Sequence, residues 1–303
     1  MKRIDSSFRR ALLPAATTAA CIAALAASLA HPNPAVRLSV SAPEMTAPPT
    51  IDGKLDEWKG IEPVVLADAA HWLPARPGET YGGPGDCAAR FYLAWDATNL
   101  YLAVEAYDNR LAAPADGAKM LEGDCVVVAI DALNDASQGY REDDSEFGFA
   151  YAPTGALTWR WFPADRAGLI RGARVAVVRE VKPGPLAPDV PRIKLTYEIA
   201  VPWSELPGMM PEAGAVFGFD LVVNDVDAGR RHGWLQWTPG LMGIKDPSQF
   251  GNVRLSVPLP PPEQTPGAET PEAEPPSGAP APPSAPAPKP HPQAPEQPGG
   301  RYI

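Results

Sequence analysis

A chain of 303 residues with 39 prolines, three cysteines and a formal net charge of −10 is too acidic for nucleic acid or an anionic membrane surface to be its expected partner. Much of the proline is localised: 17 of the 39 lie from Pro258 onward, in a tail of Pro, Ala, Glu, Gln and Ser. Such a tail cannot bury enough apolar surface to offset its ordering entropy, so residues 258–303 are expected to form an extended, disordered spacer outside the fold.

At the N-terminus, Lys2, Arg3, Arg9 and Arg10 precede an apolar run from Ala11 to Ala30 that is interrupted by Pro14. This is the plan of an export signal, and small residues at Ser28 and Ala30 place cleavage before His31. An uncleaved anchor is the alternative, since the run is about long enough to span a bilayer. The protein is therefore expected outside the cytoplasm, periplasmic, extracellular or envelope-associated, with residues 31–49 as a linker.

The folded region is expected from about residue 50 to 257. It opens on IDGKLDEW, Ile51 to Trp58, where Asp52 and Gly53 suggest a tight turn and Trp58 a core anchor. His71 to Asp86, rich in proline and glycine, reads as a loop. FYLAWDATNLYLAVEAYD, Phe91 to Asp108, then gives two alternating apolar runs around a WDATN turn, which predicts a β-hairpin.

GDCVVVAID, Gly123 to Asp131, has the continuous apolar centre of a strand covered on both sides. The acidic segment NDASQGYREDDSE leads into a second hairpin, FGFAYAPTGALTWRWF, whose period of two puts Trp159 and Trp161 on one face. ARVAVVREV, IKLTYEIAVPW, VFGFDLVVNDVD, GWLQW and FGNVRLSV complete the series, with SEL after Trp203 as a short helical turn. About nine or ten strands without a long helix predict an all-β, antiparallel β-sandwich of jelly-roll type.

No Walker loop, GxGxxG, GxSxG or HExxH occurs, so no organic cofactor is expected. His71 and His232 lack partners at ligand spacing. Glycosidases use paired carboxylates, and Glu105, Asp108, Glu146 and Glu198 lie on or beside strands, but a sandwich surface carries such acids facing solvent. Asp131, Glu142, Asp143 and Asp144 crowd like charges that a cation would relieve, and Ca²⁺ favours such loops. A structural Ca²⁺ and a solvated acidic loop both fit this pattern.

Once the leader is removed, Cys87 and Cys125 remain, each just before a strand. They read either as a disulfide in an oxidising compartment or as two buried thiols. Tryptophan faces stack on the apolar faces of sugar rings, so Trp159, Trp161, Trp234 and Trp237 are aromatic candidates, set against the usual core role of tryptophan in a sandwich.

In order and spacing, IDGKLDEW, FYLAWDATNLYLAVEAYD, GDCVVVAID, GYREDDSEF, YEIAVPWSEL, FDLVVNDVD and KDPSQFGNVRL resemble the family 9 carbohydrate-binding modules, from about Thr50 to Leu255. The resemblance implies a β-sandwich, often stabilised by calcium, that accompanies xylanases and other secreted glycosidases and binds glycan ends. It further implies two clamping tryptophans, which here fall at Leu121 and Ile244, an acidic position that falls at Val127 and an arginine position that falls at Gly148. The scaffold motifs are kept while the sugar-clamping positions have changed.

The leading expectation is thus a non-catalytic module acting beside polysaccharide-degrading enzymes, with a rebuilt site. Trp159, Trp161 and Trp237 would stack on a glycan, and Glu122 and Lys245 would hydrogen-bond it. The alternative is an envelope interaction protein whose Pro-rich tail reaches another protein or the cell wall. A redox reading, with haem between the sheets held by Met120 or Met242, lacks a CxxCH motif.

Overall fold

The computed structural model describes residues 37–135, 138–184 and 187–260. The leader at 1–30 and the tail beyond residue 260 lie outside the described residues. The strands are β1 (Ser39–Pro43), β2 (Val64–Leu66), β3 (Trp72–Pro74), β4 (Cys87–Trp95), β5 (Asn99–Asp108), β6 (Cys125–Asp131) and β7 (Asp144–Ala152). They continue as β8 (Gly155–Phe162), β9 (Arg174–Gly184), β10 (Ala187–Pro202), β11 (Val216–Asp227), β12 (Arg230–Gln236) and β13 (Gly251–Ser256).

These form two sheets: an eight-stranded sheet ordered β1-β13-β11-β6-β7-β8, with β12 on β11 and β3 on β12, and a five-stranded sheet ordered β2-β4-β5-β10-β9. The all-β sandwich is as expected, with thirteen strands in place of nine or ten. The extra strands are the short β2 and β3 and, within the segment read as linker, β1, which pairs parallel with β13. At three to five residues, none is long enough to show a period of two.

Alternation sorts every long strand into inward and outward residues. Phe91 and Leu93 of β4, Leu102 and Val104 of β5, Val126 and Val128 of β6, and Phe217 and Phe219 of β11 meet between the sheets. The WDATN turn is tied down by Asp96, whose Oδ1 accepts from the Thr98 and Asn99 amides at 2.7 Å and whose Oδ2 accepts from Tyr101 Oη at 2.6 Å. The Trp203–Glu205 turn forms as expected.

Trp58 does anchor IDGKLDEW, but against the outer surface of the five-stranded sheet. Its indole Nε1 donates to Glu198 Oε1 at 3.0 Å, while the Asp52 and Gly53 amides donate to Oε2 at 2.9 and 3.0 Å. Gly53 has φ +81°, and a Cβ there would lie 2.4 Å from Val178 Cγ2, so both backbone and space require glycine.

The two cysteines are free and buried. Cys87 faces the core between the sheets, whereas Cys125 faces outward from the eight-stranded sheet into a separate apolar cluster. That geometry excludes the disulfide alternative and leaves the two buried thiols. Burial raises the pKa of both, so they stay protonated.

The four acids of the catalytic-pair idea do not converge on one site: Glu105 and Glu198 share a surface, but Arg90 and Lys194 hold the first, and Trp58 with the Asp52 and Gly53 amides holds the second. Glu105 and Glu198 face outward from the five-stranded sheet, Glu146 faces outward from the other, and Asp108 lies at the end of the core between them. Asp108, Asp124 and Asp225 close that end of the core with Asp86, Asp227 and His232 beside them. Burial, first, and the neighbouring carboxylates raise Asp108, Asp124 and Asp225, the last to about 6.

Candidate functional site: the outer face of the eight-stranded sheet

At the centre of this face the outward residues of β6, β7 and β11 are small or aliphatic, with acids and Asn224 around them. Val127, Ala129, Ala150 and Val222 form a floor that Met120, Leu241 and Phe250 cover completely. Around this second apolar cluster lie partly buried Trp159, Trp161, Trp234, Leu121, Tyr140 and Met242. Adjacent register pairs run Trp234 to Asn224, Asn224 to Cys125, Val127 to Gly148 and Gly148 to Trp159. At about 4.8 Å per strand, Trp234 and Trp159 therefore flank a floor roughly 19 Å wide.

Trp159 and Trp161 do share a face, as the alternation of β8 predicted. Gly148 explains why they fit: a Cβ there would lie 2.4 Å from Trp161 Cη2 and 2.6 Å from Met120 Sδ. The place where the resemblance implied an arginine is thus filled by the Trp161 ring. Leu121 is half-buried in the same rim, and Ile244 is 56% exposed.

Trp237 is not part of this face. It is 6% exposed and packs edge-on against Phe91, with ring centroids 5.7 Å apart, and against Phe219 at 6.0 Å. It lies three positions beyond Trp234, so alternation sends the two rings to opposite sides of the sheet. Met120 and Met242 also lie on the outer face, so neither faces the space between sheets that the haem reading required.

The polar groups are only partly matched. Asn224 is buried, and its Nδ2 donates to the Gly123 carbonyl at 2.7 Å, but its Oδ1 has no partner. Trp234 Nε1 is likewise buried without an acceptor. Arg231 lies over the Trp234 ring at 5.6 Å and donates to the Leu121 carbonyl at 2.9 Å. An unmatched buried polar atom costs about 1–3 kcal/mol, so these atoms carry an unmet hydrogen-bonding cost beneath the rim.

Glu122 is exposed at the end of the Met120–Glu122 turn. Lys245 is already engaged: its Nζ donates to Glu146 Oε1 at 2.5 Å and lies 5.9 Å from the Tyr140 ring centre. It also adopts φ +50°, unusual for a residue with a Cβ. Sequence reasoning missed Glu146 as its partner, and no local signal could have supplied one, because 99 positions separate the two.

At the β6–β7 end of the same face, Asp131, Asp143 and Asp144 each place a carboxylate oxygen within 4.8 Å of the others. Asp131 and Asp144 are buried. Asp144 Oδ2 accepts from the Arg141 amide at 2.5 Å, while Asp144 Oδ1 is buried without a partner. Burial, then Asp131 and Asp143, push Asp144 up to about 7. An oxygen-only donor set with one orphaned carboxylate oxygen fits a hard cation such as Ca²⁺. Glu142 is outside the trio; it is exposed and lines a separate cavity with Phe162, Pro163 and Arg166.

The architecture and this face define a β-sandwich with a tryptophan-rimmed outer face. The chain belongs to the family described as carbohydrate family 9 binding domain-like, whose model matches residues 51–179 and 187–257, and is thus a carbohydrate-binding module. Similar solved structures include a carbohydrate binding module family 9 protein from Caldicellulosiruptor kristjanssonii in complex with cellotriose. It is 23% identical, covers 74% of this chain and 100% of its own, and has a TM-score of 0.49. The same module in complex with glucose gives 23% identity, 74% and 98% coverage and 0.48. A putative carbohydrate-binding protein from Bacteroides uniformis gives 16% identity, 73% and 100% coverage and 0.49. No curated protein matches this chain.

Proposed function

We propose that this chain is an exported module that binds glycan on the outer face of the eight-stranded sheet, accessory to enzymes that degrade xylan or β-glucan. Export rests on the charged and apolar N-terminal run. The observation that carries the binding reading is the orphaned pair Asn224 Oδ1 and Trp234 Nε1 on a tryptophan-rimmed face, in a chain of a carbohydrate-binding family.

Trp159 and Trp161 stack on the apolar face of a sugar, Trp234 bounds the opposite flank, and Asn224 and Trp234 take hydroxyls. Glu122 and Lys245 are rim contacts, with Lys245 exchanging part of its bond to Glu146 for a ligand hydroxyl. The paired clamp is replaced, since Leu121 and Ile244 stand at its positions. Ca²⁺ bound by Asp131, Asp143 and Asp144 stiffens the end of β6 and β7 and neutralises like charge.

Affinity electrophoresis of the full chain through gels containing xylan, mixed-linkage β-glucan or galactomannan tests this reading. Retardation by at least one polymer is expected, and unchanged migration in all of them contradicts it. A second reading, an envelope protein-interaction module, is favoured by the closure of the floor under Met120 and Leu241. It predicts no retardation but a crosslinked partner that is lost when the residues after Val257 are deleted.

A further inference from the structure

The opposite surface of the sandwich carries a cavity that the proposed glycan face does not use. Outward residues of β4 and β5 form its floor and residues of the Leu55–Pro63 loop line its side, making an open cavity of about 380 Å³. That volume lies within the roughly 300–1,000 Å³ usual for small-molecule sites.

The floor is held rigidly. Glu105 is 5% exposed, and its carboxylate accepts from Arg90 Nε on one oxygen and from Lys194 Nζ at 2.5 Å on the other. Tyr92 Oη lies 3.4 Å from the same carboxylate. Behind Tyr92, the Trp58 ring sits 6.2 Å away at 59° and is fixed by Glu198. Nothing in this floor has to be ordered when a ligand arrives, which lowers the cost of binding.

The lining also indicates a ligand class. The charges of the lining and its ion-pair partners balance, with Lys59, Arg90, Lys182 and Lys194 against Asp56, Glu62, Glu105 and Glu180. A charged ligand would leave one sign uncompensated, whereas hydroxyls both donate to carboxylates and accept from a guanidinium. A half-buried tyrosine beside the ion pair offers an apolar face to a ring that carries such hydroxyls.

We propose that the cavity between the Leu55–Pro63 loop and strands β4 and β5, floored by Tyr92 and the Arg90–Glu105 ion pair, is a second binding site that takes a neutral pyranose unit of a glycan. With sites on both outer surfaces, one module bridges two chains or two segments of one chain, and avidity exceeds either affinity.

The test is an NMR titration of the isotopically labelled full-length chain with cellotriose, xylotriose and mannotriose, with glucuronic acid as an anionic control. At least one neutral trisaccharide should give saturable amide shifts in residues 55–63 and 90–92. Those shifts should persist in a Trp159→Ala/Trp161→Ala variant, which separates this site from the other face. Tyr92→Ala should weaken the response about tenfold, and the rim variant Glu62→Ala, chosen because it leaves the core untouched, should also weaken it. The proposal is overturned if none of the three sugars gives saturable shifts there, if glucuronic acid binds best, or if neither variant changes the response. Should Tyr92→Ala fail to fold, Glu62→Ala decides.

Discussion

The two outer surfaces of this sandwich solve the problem of an exposed sheet face in opposite ways. The five-stranded sheet covers itself with charge: Glu105 between Arg90 and Lys194, and Glu198 satisfied by an indole and two amides. The eight-stranded sheet covers itself with apolar loops, and leaves Asn224 Oδ1, Trp234 Nε1 and Asp144 Oδ1 without partners. The paired networks around Glu105 and Glu198 add stability, while the orphans of the other face hold binding potential at the expense of stability.

The largest expected effect comes from breaking the paired face. Glu105→Ala strands a buried Lys194 and should cost about 3–5 kcal/mol, measured by denaturant unfolding, whereas a cost below about 1 kcal/mol would mean that the network is structurally idle. Next, filling the proposed metal site should raise stability by about 2.7 kcal/mol at a hundredfold excess of Ca²⁺ over its Kd. Differential scanning calorimetry with and without a chelator would show this, and Asp144→Ala should abolish the difference.

Gly148→Ala should cost about 1–3 kcal/mol by overpacking against Trp161. It should also shift the indole fluorescence, and unchanged emission would place Trp161 elsewhere. Smaller is the loss from Lys245→Ala, about 1 kcal/mol, because the lysine is 41% exposed although Glu146 is buried.

The acid cluster adds a pH slope common to both faces. Asp108, Asp124 and Asp225 have folded-state pKa values raised above those of the unfolded chain, so the folded protein binds the extra protons. Stability therefore falls as pH rises from about 4 through 6 and beyond. Asn substitution at Asp225, the group raised to about 6, should flatten the acid end of that slope in pH-dependent melts.

How much of this was legible in the sequence depended on whether the signal was local. Alternation in Phe91 to Asp108 and in the Trp159–Trp161 strand gave both hairpins and the shared tryptophan face. Carboxylate crowding singled out Asp131, Asp143 and Asp144, and adjacency along the chain added Glu142, which lies outside that trio. The same alternation, applied to GWLQW, separates Trp234 from Trp237 and would have corrected that assignment. By contrast, β1 on β13, Lys245 on Glu146 and the opposite orientations of Cys87 and Cys125 are set by tertiary packing. No window of sequence contains them.

Calorimetric titration of the full-length chain and its Trp159→Ala/Trp161→Ala variant with oligosaccharides of whichever polymer retards it tests the central claim most directly. A tryptophan-rimmed glycan face predicts saturable heat in the parent chain that falls at least about tenfold in affinity in the variant. Equal titration curves for the two proteins, with the variant folded, would contradict it.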